Sequence, residues 1–223
     1  IPVLILGYII LKRYHDIKVS AAGVWCVRKR NGVNRLPQNQ RKRSMEQFKR
    51  YEKQVPGHRI QIDVKFLFSN DKGGKRIKRY QYTAIDDASR AWALRIYRKH
   101  NQKCAIDFLD YVKAEFRFRI HTVQTDNGHK FQAQFHWHCD DLGICHVYIK
   151  KASPHLNGKV ERSHLTDQQE FYQLLEYKGD IDIGKKLQQW KIFYNCHRPH
   201  GSLHGKTPYE VLREKLISLY FFP

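Results

Sequence analysis

Residues 57–150 predict an α/β fold built on a mixed five-stranded sheet flanked by helices, with a helical extension after it. Three observations predict it. Apolar and polar residues alternate with period two at 58–68, 79–86 and 91–97, the signature of half-buried strands. The period then lengthens: Cys104, Phe108, Tyr111, Val112 and Phe116 fall near helical spacing over 102–117. Finally, a strand at 120–125, a helix at 129–142 and a strand at 144–149 complete the order strand, strand, strand, helix, strand, helix, strand. That is the element order of a ribonuclease-H-like fold.

From the N-terminus, residues 1–36 read as two helices around a short turn. Ile5, Ile9, Ile10 and Tyr14 form a stripe; Ser20 is placed to cap a second helix over Ala21–Arg30, and Gly32 to stop it. A helix pair whose second member ends Arg28-Lys29-Arg30 suits a partial helix-turn-helix DNA reader, with an ordinary basic helical hairpin as the alternative. Residues 37–56 are charged and polar without a sustained apolar face, a basic linker with room for a short helix over Ser44–Lys53. The catalytic-core candidate is 57–178. Within it, Asn70-Asp-Lys-Gly-Gly-Lys is a hairpin turn signal, and a helix is expected from Asn157 to Glu176. In the extension, 179–223, helices are expected over Ile183–Asn195 and from Thr207, where Thr207, Pro208 and Glu210 make a capping box. The closing Tyr220-Phe-Phe-Pro223 has no reading. The segment Ile1–Leu11 is apolar but too short to span a bilayer, and without an initiator Met the chain reads as one whose start is missing.

The net charge is +20, from 41 Lys and Arg against 21 Asp and Glu. Residues 1–55 alone carry 13 basic side chains and three acids. Such a field attracts phosphate backbones and argues for nucleic acid as partner over a merely solvated basic surface. Five scattered cysteines without Cys-x-x-Cys pairing fit buried thiols in a reducing, cytoplasmic compartment. His136, His138, Cys139, Cys145 and His146 could be read as a zinc site, but their spacing crosses a helix, a turn and a strand, unlike the tight pairs of structural zinc.

The chemistry rests on three acids. Asp63 interrupts the alternating run 58–68, Asp126 ends the strand Ile120–Thr125, and Glu161 lies early in the following helix. Each has an ordinary explanation: a solvent-facing strand position, an Asp-Asn-Gly turn, and an acid favoured by a helix N-terminus. Together they can converge, and crowded carboxylates are relieved by hard cations such as magnesium or manganese. Two such ions clamp the attacking and leaving oxygens of an in-line phosphoryl transfer. Asp86 and Asp87 rank as turn residues or supports behind the site. Asp107 or Asp110 would matter more in a ribonuclease H proper.

The segments Gln124-Thr-Asp-Asn-Gly128, Ser153-Pro-His-Leu-Asn-Gly-Lys-Val-Glu-Arg-Ser163 and Tyr194-Asn-Cys-His-Arg-Pro-His-Gly-Ser-Leu-His-Gly-Lys-Thr-Pro208, with Ile85-Asp-Asp-Ala-Ser-Arg90, resemble the integrase catalytic core of bacterial insertion-sequence transposases. The resemblance covers nearly the whole chain. It implies that Asp63, Asp126 and Glu161 are the Asp-Asp-Glu triad and hold two Mg2+ or Mn2+ ions. It implies cleavage at the ends of a DNA element and attack of the freed 3′-OH on target DNA. The partners are then double-stranded element ends and target, with a homo-oligomer in the synaptic complex, in a bacterial cytoplasm at the nucleoid. Candidate DNA contacts are Ser20, Arg28, Lys29, Arg30 and Arg35 in the reader, and His155, Asn157, Lys159 and Arg162 around Glu161; Lys159 and Arg162 suit phosphates. His197, Arg198 and His200 are expected to tie the C-terminal helices to the core. The competing readings are an inactive DNA-binding remnant or regulator of transposition, and a ribonuclease-H-type nuclease.

Overall fold

A computed structural model describes residues 3–33, 53–70, 76–149, 158–174 and 180–221. Its centre is a five-stranded sheet of β1 (Ile60–Asn70), β2 (Arg76–Asp86), β3 (Trp92–Tyr97), β4 (Thr122–Thr125) and β5 (Cys145–Tyr148), in the order β3-β2-β1-β4-β5. The first three strands pair antiparallel, and β4 and β5 add in parallel beside β1. The mixed sheet therefore matches the expectation, with strand ends moved by one to three residues. The β1–β2 hairpin is long, paired from Ile60↔Asp86 to Asn70↔Arg76, whereas β4 meets β1 only at Ile60↔Val123 and Gln61↔Gln124. Beyond Phe66↔Tyr80 the hairpin is a two-stranded ribbon, because β3 ends opposite Tyr80.

The period-two pattern sorts side chains onto two faces. Ile60, Ile62, Tyr82, Ala84, Ala93 and Val123 face α3 (Gln102–Phe116) and α4 (Gln134–Asp141), burying Phe108, Leu109, Val112, Phe131 and Phe135 with them. Each fully buried side chain of this size contributes roughly 1.5–3 kcal/mol. Asn101 caps α3, its Oδ1 accepting from the Cys104 amide at 3.0 Å. The expected 129–142 helix is split. A 3-10 turn over His129–Phe131 precedes α4, because Ala133 turns the chain at a positive φ of 43°.

The opposite face is covered by α5 (Gly158–Asp167), which runs on through a π-helical turn at Gln168–Tyr172, and by α6 (Asp180–Ile192). Ile85, Trp92, Leu94, Val160, Phe171, Leu187, Trp190 and Tyr194 form its apolar cluster at the β3 edge. Nearer the middle of the sheet this face is polar: Gln61, Gln81, Thr83 and Gln124 are all buried.

Gly57 shows how tightly the entry to β1 is built. At φ +77° an added Cβ would lie 2.0 Å from the Arg119 carbonyl oxygen, so only glycine fits. Its amide donates to Asp86 Oδ1 at 2.9 Å and its carbonyl accepts from His121 at 2.8 Å.

At the N-terminus α1 (Val3–His15) packs against α2 (Ala21–Arg30), and Ser20 Oγ accepts from the Gly23 amide at 3.0 Å as the cap. The pair also docks on the C-terminal end. Tyr14 donates to the His197 carbonyl at 2.6 Å, and Arg13 reaches the Gly205 carbonyl at 3.3 Å and pairs with Glu210. The final helix, α7 (Pro208–Phe221), opens on the expected box: Thr207 N donates to Glu210 Oε2 at 2.9 Å and Glu210 N to Thr207 Oγ1 at 3.3 Å. Among the described residues no helix is long and apolar enough to cross a membrane. The short helix expected over 44–53 and the hairpin turn at 71–75 lie outside the described residues, save for Lys53.

Candidate functional site

Asp63 sits in β1 on the α5 face, two positions beyond Gln61, which pairs with Gln124 of β4; Asp126 lies two positions beyond Gln124. The register alone therefore puts the two carboxylates side by side, Asp126 just past the end of β4 and Asp63 just past the stretch of β1 that pairs with it. Glu161 arrives from the first turn of α5 above them. Their proximity registers in the electrostatics. Asp63 is pushed up to about 6, first by burial, with the charges of Asp126 and Glu161 adding to the rise; the Val64 amide, donating to Asp63 Oδ1 at 2.8 Å, pulls the other way. His164 Nδ1 lies 3.7 Å from Asp63 Oδ2, yet burial holds that imidazole down to about 3, so it is neutral and does not offset the carboxylate.

Asp126 has a different neighbour. Lys130, on the 3-10 turn and only 6% exposed, donates to both carboxylate oxygens, at 3.0 and 2.9 Å. Gly128 makes room for this contact: a Cβ there would stand 2.7 Å from Lys130 Nζ and 3.0 Å from Asp126 Oδ1. The Gly128 amide also donates to Asp126 Oδ1 at 3.2 Å, closing the expected Asp-Asn-Gly turn.

The donors fit a hard divalent cation in kind: all are carboxylate oxygens, and Asp63, raised first by burial and further by the charges of Asp126 and Glu161, is a group that a nearby cation would relieve. Lys130 supplies that charge to Asp126, and among the described residues no three His, Cys, Asp or Glu side chains are drawn close enough to hold an ion. A proposed zinc cluster fares no better. His138 turns to Asp110 at 2.8 Å, Cys139 is buried with its thiol pushed up to about 12, and His136 meets His146 at 3.2 Å.

Buried polar groups fix the start of α5. Asp87, fully buried, accepts from Gln61 Nε2 at 3.2 Å and pairs with Lys159. Lys159 Nζ also donates to the Asp87 carbonyl at 3.1 Å, and Gln61 Oε1 accepts from the Val160 amide at 3.4 Å. Lys159 thus holds α5 to the β2–β3 turn in this arrangement rather than reaching outward for a phosphate. Asp86 supports the same turn, accepting from Ser89 N and Oγ at 2.7 and 2.6 Å. Nearly two turns after Glu161, Asp167 is buried and accepts from Gln81 Nε2 at 2.9 Å and Trp190 Nε1 at 3.0 Å; burial pushes it up to about 6.

Of the other anticipated contacts, Arg162 is exposed and Ser20 is engaged as a helix cap. Lys29 lies over the Trp25 ring at 4.9 Å, Arg30 reaches the Cys26 carbonyl at 3.4 Å, and Arg28 sits beside Gly7. Arg35, His155 and Asn157 lie outside the described residues. Asp107 and Asp110 point to Tyr97 and Arg95 and to His138, so α3 directs neither at Asp63. The 194–208 motif is structural as expected: Asn195 brackets the Trp92 backbone at 2.9 and 2.7 Å, and Arg198 forks onto Glu170 at 2.7 and 2.5 Å. Sequence reasoning missed Lys130, Gln61 and Asp167. Gln61, Gln81, Thr83 and Gln124 share Asp63's face, and that run of polar residues in register was the signal available.

Two family models described as integrase core domain match, over residues 53–154 and 142–208, and together span 53–208. The "Putative integrase ORF3" of Spiroplasma virus SpV1-C74 is 29% identical over 195 residues, 78% of this chain and 52% of that protein. The chain thus spans about half the length of this curated relative. Among solved structures, a chain of the simian T-cell lymphotropic virus intasome in complex with PP2A regulatory subunit B56 gamma superposes with a TM-score of 0.61 at 18% identity, over 87% of this chain and 67% of that one. The HTLV-2 integrase catalytic core, solved with magnesium, gives 0.55 at 22% over 70% and 97%, and the BIV core 0.53 at 23% over 74% and 99%. These likenesses establish the ribonuclease-H-like fold, and the two matching models, which together span 53–208, place this chain in the integrase core domain family.

Proposed function

We propose that this chain is the catalytic part of a DNA transposase: it cuts DNA at the ends of an element and joins the freed 3′-OH to target DNA. The observation that supports this reading is the strand register that sets Asp63 beside Asp126, with Glu161 in the first turn of α5 near enough for its charge to act on Asp63. Asp63, Asp126 and Glu161 would hold the divalent ions, magnesium or manganese, two of them in this reading. Bound there, the metal supplies Lewis-acid charge to the attacking and leaving oxygens. The chain's own residues do the rest. Asp63 and Asp126 are set by strand register and Glu161 by the Gln61–Asp87–Lys159 cluster under α5. Exposed Arg162, next to Glu161 in α5, offers a positive charge suited to the scissile strand's phosphates.

Both steps exchange one P–O bond for another. In the first, a water oxygen bonds to phosphorus and the 3′ oxygen departs; in the second, that 3′ oxygen attacks a target phosphodiester and a target 3′ oxygen departs. Neither step requires a covalent link to the protein. Double-stranded ends and target are the partners, two ends must be held at once, and a homo-oligomer follows; the nucleoid of a bacterial cytoplasm is the place.

Joining of a 3′-OH oligonucleotide to supercoiled plasmid in Mg2+ or Mn2+ tests this. Asp126→Asn should abolish joining while DNA binding persists; equal joining by that variant refutes the proposal. A second reading, a DNA-binding regulator without chemistry, draws on the Lys130 ammonium seated on both Asp126 oxygens. Native protein that binds DNA but fails to join with every divalent ion would favour it.

A further inference from the structure

The far half of the β1–β2 hairpin carries an aromatic cluster that the carboxylate site does not use. Phe66 and Phe68 project from the face opposite Asp63 and are 47% and 50% exposed. Phe66 meets Tyr80 edge-on at 5.4 Å and His100 edge-on at 5.4 Å, while His100 stacks on Tyr80 at 4.9 Å and 11°. Lys78 stands among them, 4.5 Å from the Phe66 ring, 5.3 Å from Tyr80 and 5.8 Å from Phe68. Half-exposed phenylalanines on a two-stranded ribbon gain little from the core, and a ribbon by itself is marginal in water. Cross-strand ring contacts offset part of this, but they do not require the rings to stay open to solvent.

The cluster also adjoins the candidate site. His100 lies two residues before Gln102, whose Nε2 donates to the His129 carbonyl at 3.2 Å, so the start of α3 and the His129–Phe131 turn that carries Lys130 are in contact.

We propose that Phe66, Phe68, Tyr80 and His100, with Lys78 among them, form a platform on which unpaired DNA bases stack as a strand leaves the carboxylate site. The proposal rests on the reading of this chain as one that acts on DNA. Bases offer flat π faces only where they are unpaired, as at a frayed or freshly cut end, and sequence-independent single-strand sites combine such aromatic faces with cations along the backbone. Charge decides between this occupant and a second copy of the chain. A second copy would bring another +20 against Lys78, whereas a DNA strand brings one phosphate per nucleotide.

Fluorescence anisotropy with a dT oligonucleotide and with a blunt duplex, at matched salt, tests the proposal. The Phe66→Ala, Phe68→Ala double variant should lose about tenfold or more in dT affinity, the scale of one lost base stack, with duplex affinity nearly unchanged. Lys78→Gln should flatten the salt dependence of dT binding. Equal losses for dT and duplex, or no loss for dT, overturn the platform. If the double variant does not fold, Phe66→Trp serves instead: stacking predicts that dT quenches its added fluorescence, and an unquenched signal at saturating dT overturns the proposal. A native dimer that the double variant converts to monomer at unchanged dT affinity would make the patch a protein interface and also overturn it. The two readings separate cleanly, because intact joining with no stacking fails the platform alone, and intact stacking with no joining fails the proposed function alone.

Discussion

The two faces of the sheet solve burial in opposite ways. Under α3 and α4 the face is dry: Ile60, Ile62, Tyr82, Ala84 and Val123 meet Phe108, Leu109 and Phe131 with no exposure. Under α5 the middle of the sheet buries Gln61, Gln81, Thr83, Asp87 and Asp167, joined by directed hydrogen bonds. Apolar packing is non-directional and tolerates small shifts. Hydrogen-bonded polar packing fixes positions, since each misplaced donor or acceptor leaves a buried group unsatisfied. The three acids sit on the second face, where placement matters most; the first face supplies the stability.

This contrast can be broken by substitution, most strongly on the dry face. Phe108→Ala removes a fully buried ring in contact with Tyr82 and Tyr97, and should cost about 3–5 kcal/mol in urea unfolding. A loss below about 1 kcal/mol would mean that this face does not dominate stability. On the polar face, Asp87→Ala leaves the Lys159 ammonium without its carboxylate partner. It should cost about 3 kcal/mol and also lower joining activity, because α5 loses its anchor next to Glu161. Loss of stability with joining unchanged per folded molecule would show that the cluster does not position Glu161.

A third effect, at most as large, depends on pH. Asp167 is held near 6 in the folded chain against an ordinary value of 3.8, so the native state keeps a proton there that the unfolded chain releases. Its contribution is fully present below pH 4 and lost as pH rises through 6. Relative to Asp167→Asn, the native chain should therefore lose up to about 3 kcal/mol between pH 4 and 7. A pH-independent difference would show that the neighbouring donors, Gln81 and Trp190, keep the charged form as comfortable as water does. Asp63, also raised to about 6, adds a loss of the same sign.

Much of this was legible in the residues. Alternation located the strands, and Ser20 and the Thr207–Glu210 box marked their helix starts by side-chain chemistry that acts within a few residues. The elements that carry Asp63, Asp126 and Glu161 were equally readable, and strand register makes Asp63 and Asp126 neighbours. The nature of the α5 face was not. Gln61 and Gln81 alternate like solvent-facing residues, and they are buried because α5 and α6, distant in sequence, fold over them. For the same reason the contact of Lys159 with Asp87, 72 positions earlier, left no mark in the sequence. The π-helical turns at Gln168–Tyr172 and Phe193–His197 left no mark in the apolar period.

Mn2+ binding at neutral pH tests most directly whether the polar face is a metal-dependent site. Native protein should bind Mn2+, Asp126→Asn should bind roughly tenfold or more weakly, and Lys130→Met should bind more tightly because it removes the cation that competes for both Asp126 oxygens. Equal Mn2+ affinity in all three proteins would contradict the account.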